Sequence, residues 1–451
     1  MPGRGIAADR CGDGGMLLDK GGVNYMIGFD LRDDACQISY CSASKEEEVQ
    51  EPVTYASPEP EADILPGDPG AQAGSFDIPT ALAKRVGINQ WCHGKEAALR
   101  AADASWIFVP HLLTQALEGR FVVIEDVGYD PSALLALYIS RCLNELSGVM
   151  PDRRASTIMF TSSAMDARTI EVLENVRRRL DFKSAVYYQS YGGSYYDFML
   201  NQPQELREPA SALFEYETGG KLRIRKLIFN IHTHPMVAFE EESEYPGLLA
   251  EDDGGRDEEF SRILKEELVG RNYAASYLIG SGFKGGWMRK SSRILCSHGR
   301  RAFLGANLFS KGAAYGAMFK ALSPAILSDY FYLDENKLGT NVLLQAYEGG
   351  VLQEVTLVEA GVNWYEVRGR RDLILESTGE INLLLKPLTG GAGQPYHIRL
   401  EGLPVREGRI TRIRLDYAMS SAKKLIIRMT DLGFGELFPS SGLKWEQRIS
   451  V

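Results

Sequence analysis

The spacing of apolar and polar positions changes character near residue 333 of the chain. Before that point two periods alternate. "YMIGFDLR" is apolar with little interruption and predicts a buried strand, and "ACQISYCSA" alternates as its hairpin partner should. "FDIPTALAKR" predicts the next strand and "GKEAALRAA" a short helix. Asp130 and Pro131 suit an N-cap and a first helical turn. They open "DPSALLALYISRCLNEL", a helix apolar nearly all round and therefore buried. "STIMFTSS" is a buried strand running into the helix "DARTIEVLENVRRRL", where Ile170, Leu173, Val176 and Leu180 share a face. "SALFEYE" and "KLRIRKLIFN" are strands about a "TGG" turn, and "EEFSRILKEEL" is helical. "AASYLIGSGF" is a strand ending in a Gly turn, and "KGAAYGAMFKAL" a helix whose small residues permit close packing. From Gly339 onward no convincing helix remains. Short alternating runs such as "NVLLQAYE", "EINLLLK", "ITRIRLDYA" and "KKLIIRMT" follow one another between turn residues, the pattern of a β-sandwich or barrel.

The expected organisation is an α/β domain at 26–333 and an all-β domain at 338–451, joined near "SDYFYLDENK". Residues 45–75 are acidic and rich in Pro and Gly, a flexible loop with a possible strand at 53–56. The acidic stretch 240–259 reads as a second, solvated loop. Residues 1–25 are Gly-rich without periodicity. They are expected to be disordered, or a mis-called extension ahead of a natural start at Met26.

Composition narrows the function classes. With 44% apolar and 24% charged residues the chain is ordinary for a soluble globular protein. A net charge of -10 speaks against a general binder of nucleic acid or of acidic membranes. No apolar run approaches the roughly 18 residues of a membrane span, and no signal-peptide pattern opens the chain. Six cysteines without dense spacing read as reduced thiols, so a cytoplasmic location is expected.

The order of these elements resembles the DnaK-like heat-shock chaperones of the actin/hexokinase/DnaK ATPase superfamily. "IGFDLRDD" stands where that family has its first phosphate loop, and "SALFEYETGGKLRIRKL" where it has its second. "LIGSGFKGGWM" looks like its adenosine-binding turn. "NLFSKGAAYGA" is similar to its "AVAKGAA" helix, the most specific of these matches. "LGTNVLLQAYEGG" and the run from "IRLEGLPVREG" to "IIRMTD" resemble its peptide-binding β-sandwich. The resemblance implies a two-lobed, duplicated ribonuclease-H-like fold of the actin-like ATPase type, followed by a β-sandwich. It implies ATP or ADP with Mg as cofactor and an extended peptide or protein client on the β-domain. Asp30 would hold a water-coordinated Mg, with Glu215 as its catalytic partner; the residue itself also reads as a strand-end Asp that caps the loop. Gly219 and Gly220 fall in the second phosphate loop, and Gly280, Ser281 and Gly282 would face the adenosine. Arg32 and Lys311 are phosphate contacts by charge alone.

Departures from the family pattern bear on activity. Phosphate loops present backbone N–H groups at close range, which Gly permits. In the first loop Arg32, Asp33 and Asp34 replace Gly and two hydroxyl residues, and two carboxylates repel a triphosphate unless a metal or Arg32 intervenes. Gln189, Ser190 and Tyr191 occupy the place of the family's catalytic Glu, and its catalytic Lys has no counterpart near "WIFVPHLL". The adenine-clamping subdomain is much shortened at 229–277, and no helical lid follows the sandwich. The expectation is therefore a chaperone-like binder of a peptide or protein partner with degenerate or weak nucleotide binding. An active Mg-dependent ATPase is the alternative, and a ligand-free scaffold the third reading. The first turn discriminates: internal salt bridges of Arg32, Asp33 and Asp34 exclude nucleotide, and open N–H groups admit it. His232 and His234 of "HTHP", Cys92 with His93, and Cys296 with His298 lack the spacing of a zinc site. The tyrosines at 187, 188, 191, 195 and 196 read as a helix at an interface with hydroxyls at its rim.

Overall fold

The computed structural model describes residues 24–43, 50–57, 76–150, 157–180, 184–231, 235–334, 336–348, 350–375, 379–387, 393–404, 406 and 411–451. His232, His234, residues 1–23 and most of the 45–75 stretch lie outside the described residues. The chain divides into two compact units, 1–331 and 332–451.

The first unit is mixed α/β and repeats one arrangement. Asn24–Leu31 (β1), Ala35–Ala43 (β2) and Val53–Thr54 (β3) form an antiparallel run. Pro131–Glu145 (α1), Thr157–Ser162 (β4), Ala167–Leu180 (α2), Ala185–Ser190 (β5) and Tyr191–Leu200 (α3) follow. The strands lie in the order β5-β4-β1-β2-β3, with β1, β4 and β5 parallel. Ala210–Tyr216 (β6), Leu222–Asn230 (β7) and Met236–Tyr245 (β8) open a second antiparallel run. Then come Asp253–Glu267 (α4), Ala275–Ile279 (β9), Arg289–Leu295 (α5), Arg301–Leu304 (β10) and Leu308–Leu322 (α6). Their order is β10-β9-β6-β7-β8, with β6, β9 and β10 parallel. Both halves thus run as three antiparallel strands, helix, parallel strand, helix, parallel strand, helix. Residues 78–129 are an insertion in the first half. They carry a three-stranded sheet, a helix at Leu112–Glu118 and a hairpin of Val122–Ile124 with Val127–Tyr129.

Local chemistry explains the elements. β1 is central in its sheet, and from Met26 to Leu31 it is buried on both faces, hence its unbroken apolar run. Asp130 caps α1 by accepting the Ser132 N–H at 2.8 Å, with Pro131 in the first turn. Small residues let the halves approach. A Cβ on Gly28 of β1 would sit 2.1 Å from the Ser310 carbonyl oxygen of α6, and one on Gly312 of α6 would sit 1.9 Å from that of Ser194 in α3.

Three expectations are corrected, and one strand went unread. The 240–259 stretch is a loop only at 246–252: its first part is in β8 and its last part in α4. The Glu side chains of β8 oppose a basic alternation on β7, with Arg225 against Glu242 and Arg223 against Glu244 in register. Cross-strand pairing thus neutralises what looked like a solvated charge run. "FDIPTALAKR" is broken into Ile78–Pro79 and Leu82–Arg85, pairing with different sheets. β1 begins at Asn24, paired with Ala43, two residues inside the stretch expected to be disordered. The terminal strand Lys444–Ser450 was not legible as such, because its only fully buried side chain is Ile449.

The second unit is all antiparallel. Thr340–Glu348 (β11), Val351–Val358 (β12), Arg368–Leu375 (β13), Glu380–Pro387 (β14), Gln394–Arg399 (β15), Thr411–Ser421 (β16), Lys424–Asp431 (β17) and Lys444–Ser450 (β18) form two four-stranded sheets. Their orders are β12-β11-β14-β15 and β13-β16-β17-β18. Val342, Leu344, Leu383, Ile413, Leu415 and Ile427 are buried. No helix among the described residues is long and apolar enough to cross a membrane.

Candidate functional site

A cleft of about 480 Å³ opens in the first unit, where the two halves meet. Its walls come from the ends of β1, β6 and β9, the turns after them, and the first residues of α3 and α6. Equivalent parts of the repeated arrangement therefore face one another. Ligand sites of open α/β sheets form at such carboxyl ends of parallel strands.

Seven of the residues singled out from the sequence line this one cleft: Asp30, Arg32, Asp34, Tyr191, Glu215, Gly280 and Ser281. Asp33, Gly219, Gly220, Gly282 and Lys311 do not. Asp33 turns away: it accepts the Thr114 N–H at 2.9 Å and meets His111 Nδ1 at 2.8 Å, capping the helix of the insertion. Gly219 and Gly220 shape the turn after β6, with φ +75 at Gly219 and the Gly220 N–H donating to the Glu217 carbonyl at 2.8 Å. Gly282 is buried against the Tyr216 ring, where a Cβ would stand 2.2 Å from Cδ1. Lys311 lies within α6, half-buried.

Asp30 is 2% exposed and accepts the Tyr191 hydroxyl at 2.7 Å. Burial pushes its carboxyl up to about 6, against the opposing pull of the Arg32 guanidinium and the Tyr191 hydrogen bond. Burial also holds the Tyr191 phenol well above its ordinary range, with the Asp30 charge adding to the effect. Tyr191 stacks on Phe309 at 3.7 Å between ring centroids, so the first residues of α3 and α6 close the cleft floor with aromatic rings. The first turn is held by its own charges. Arg32 pairs with Asp77, which also accepts from Gln37 Nε2 at 2.9 Å, and Arg32 Nε lies 3.7 Å from Asp34. Its backbone is engaged too: the Arg32 N–H donates to the Ala35 carbonyl at 3.0 Å.

Glu215 is tied to Arg225, whose guanidinium also meets Glu240 at 2.7 Å. Burial raises the Glu215 carboxyl, and Arg225 opposes that rise. Beside it, Glu217 reaches across to the turn after β9. Its carboxylate accepts the Ser281 N–H at 2.9 Å and the Ser281 hydroxyl, and Ser281 Oγ in turn accepts the Thr218 N–H at 3.1 Å. Gly280 permits this closeness at φ +107, since a Cβ there would lie 2.2 Å from the Tyr216 carbonyl oxygen. Lys221, Arg223 and Lys284 line the same cleft. Among the described residues, no group of three or more His, Cys, Asp or Glu side chains stands ready to hold a metal ion.

Phe309 and Asp77 are cleft residues that sequence reasoning missed; Tyr191 was placed at the family's catalytic Glu position, and Glu217 in the second loop was given no role. For Glu217 a signal existed: a carboxylate two residues after Glu215, in a turn meant to greet phosphate. The tyrosine group is also not an interface rim, because Tyr195 is fully buried and its hydroxyl donates to Ser211 Oγ at 2.8 Å.

Much of the cleft lining, from Asp77 to Phe309, lies within a stretch that recurs in other proteins, whereas β1, β2 and β3 precede it. Residues 69–335 match the family described as "Family of unknown function (DUF5716) C-terminal". That is more than half of the chain, and the chain belongs to this family. Residues 337–451 match a second description, "Domain of unknown function (DUF8552)". No curated protein matches the chain.

Proposed function

We propose that this protein is a divergent relative of the DnaK-like chaperones, built on an actin-like ATPase fold that no longer turns over nucleotide, with a β-sandwich that holds a protein partner. The observation that carries the reading is the Glu217 carboxylate seated on the N–H and hydroxyl of Ser281. An anion-binding turn works by offering such donors to a ligand. Here the protein's own anion takes them.

Three further features support it. Two sheets whose five core strands share one order, with the same sequence of helices, fit a duplicated ribonuclease-H-like fold. A Mg–triphosphate does not fit the groups present: Asp30 is bonded to a phenol beside the Arg32 cation, and Glu215 is held by Arg225. The family's catalytic Glu position carries Tyr191, which offers no base. In the second unit the edge strand β12 exposes Val351 and Leu352, with Tyr347 beside them on β11. An edge of this kind accepts an extended segment through backbone hydrogen bonds and side-chain contacts.

Calorimetry of the full chain with ATP and ADP, with and without Mg, tests the reading. The expected result is no heat at millimolar nucleotide and no phosphate release. Metal-dependent micromolar binding with turnover would restore the active-ATPase reading, which the convergence of Asp30 and Glu215 on one cleft keeps in view.

A further inference from the structure

The outward face of the sheet β13-β16-β17-β18 differs in charge from the rest of the chain. Residues 332–451 carry 15 Lys and Arg against 15 Asp and Glu, so the net -10 resides in residues 1–331. Within the second unit the positive charge is concentrated. Strand alternation sends Ile413, Leu415, Leu425, Ile427, Met429 and Ile449 inward, all buried. It sends Arg368, Arg370, Arg412, Arg414, Lys424, Arg428, Lys444 and Arg448 outward. Among the described residues, only Asp372, Asp416 and Glu446 share that face as carboxylates, and each is already paired: Asp372 with Arg414, Asp416 with Arg370, and Glu446 with Arg428 and Arg448. Neither Arg412 nor Lys444 has an ion pair among the described residues. Two apolar side chains, Ile374 and Ile426, lie among these charges on the same face.

The geometry points to this face as a docking surface for an acidic extended segment of a partner protein. Eight cations against three carboxylates among the described residues leave an excess of positive charge in an acidic protein, which steers an anionic partner to one place. The interleaved carboxylates favour a peptide over a polynucleotide. Evenly spaced phosphates would meet Asp372, Asp416 and Glu446, whereas a peptide can place neutral side chains there. Among the described residues, no aromatic ring lies on the outward positions to stack a base. The face is distinct from the β12 edge, which belongs to the other sheet, so the two surfaces are tested separately.

The test is fluorescence anisotropy of the full chain with a labelled peptide of alternating Glu and Ile, about eight residues long to span the strands. A Lys–Ile peptide and an oligothymidylate of similar length are run beside it. The Glu peptide should bind, and its affinity should fall as salt rises. Arg412→Glu with Lys444→Glu should weaken binding about tenfold or more, because both sites change from attraction to repulsion. Lys386→Glu, which pairs with Glu354 on the other sheet, should leave it unchanged. Because both reversed residues are exposed, the melting temperature should hold, and Lys444→Gln gives a milder second variant. Equal binding of the Lys peptide, or indifference to the reversals, would overturn the inference. So would tighter binding of the oligothymidylate, or self-association of the chain that the reversals abolish. Binding of an apolar peptide that survives the reversals would sink this inference while leaving the β12 reading standing.

Discussion

At the scale of single residues, the cleft is governed by carboxyl groups held out of water. Asp30 ionises near 6 in the folded chain, against an ordinary value of 3.8. The folded state therefore keeps a proton that the unfolded state has lost, and stability falls as pH rises between these values. Over that window the loss is about 3 kcal/mol. Asp30→Asn keeps an oxygen for Tyr191 and removes the titration. Its stability relative to the parent should thus improve by about 3 kcal/mol between about pH 4 and about pH 8, read by urea melts at each pH. Glu217 acts in the opposite sense, as a resident anion. Glu217→Ala frees the Ser281 donors, so the variant should gain a thermal shift with millimolar phosphate or ADP that the parent lacks. An unchanged melting curve would show that Glu217 is not what keeps anions out.

At the scale of elements, close approach and charge registration decide what forms. Gly28 has no room for a methyl group, because the α6 backbone lies directly against β1. Gly28→Ala should cost about 3 kcal/mol, seen as a lower denaturation midpoint, since backbone rather than a flexible side chain must yield. In the second unit, Asp431 binds both terminal nitrogens of Arg406 at 2.8 Å and accepts the Gly433 and Ser441 N–H groups at 3.0 and 2.8 Å. The Arg406 hydrogen bond, followed by those backbone donors, holds the Asp431 carboxyl well below the usual range despite its burial. Asp431→Ala strands a buried guanidinium and unties the loop before β18. A loss of about 3–5 kcal/mol is expected in chemical denaturation. The acidic strand β8 teaches the same lesson. Its charges were visible in sequence, but their neutralisation by Lys221, Arg223 and Arg225 of the β6–β7 turn and β7 depends on a register that composition does not reveal.

At the scale of the whole molecule, the first unit uses one arrangement twice and places its cleft where the copies meet. The strands that build the cleft were legible: the run ending at Asp30, the strand ending near Glu215 and the Gly turn at 280–282 all lie where their patterns put them. Their convergence was an inference from resemblance alone, since strands of one period do not state which ends face each other. Asp33 shows the limit. Three consecutive polar residues in one turn carry one label in sequence, yet Arg32 and Asp34 line the cleft and Asp33 caps a helix of the insertion. The whole-molecule prediction follows from the cleft: the parent chain should release no more phosphate from ATP than a control without protein.

The sequence by itself determined the periodicities, and with them the buried strands, the amphipathic helices and the change to all-antiparallel structure after residue 333, because burial of an apolar face is a local property of spacing. Tertiary structure alone decided which charged groups meet. Whether Glu217 occupies the Ser281 donors, and whether Glu215 is open or bound by Arg225, depends on contacts between strands that the chain joins only by folding.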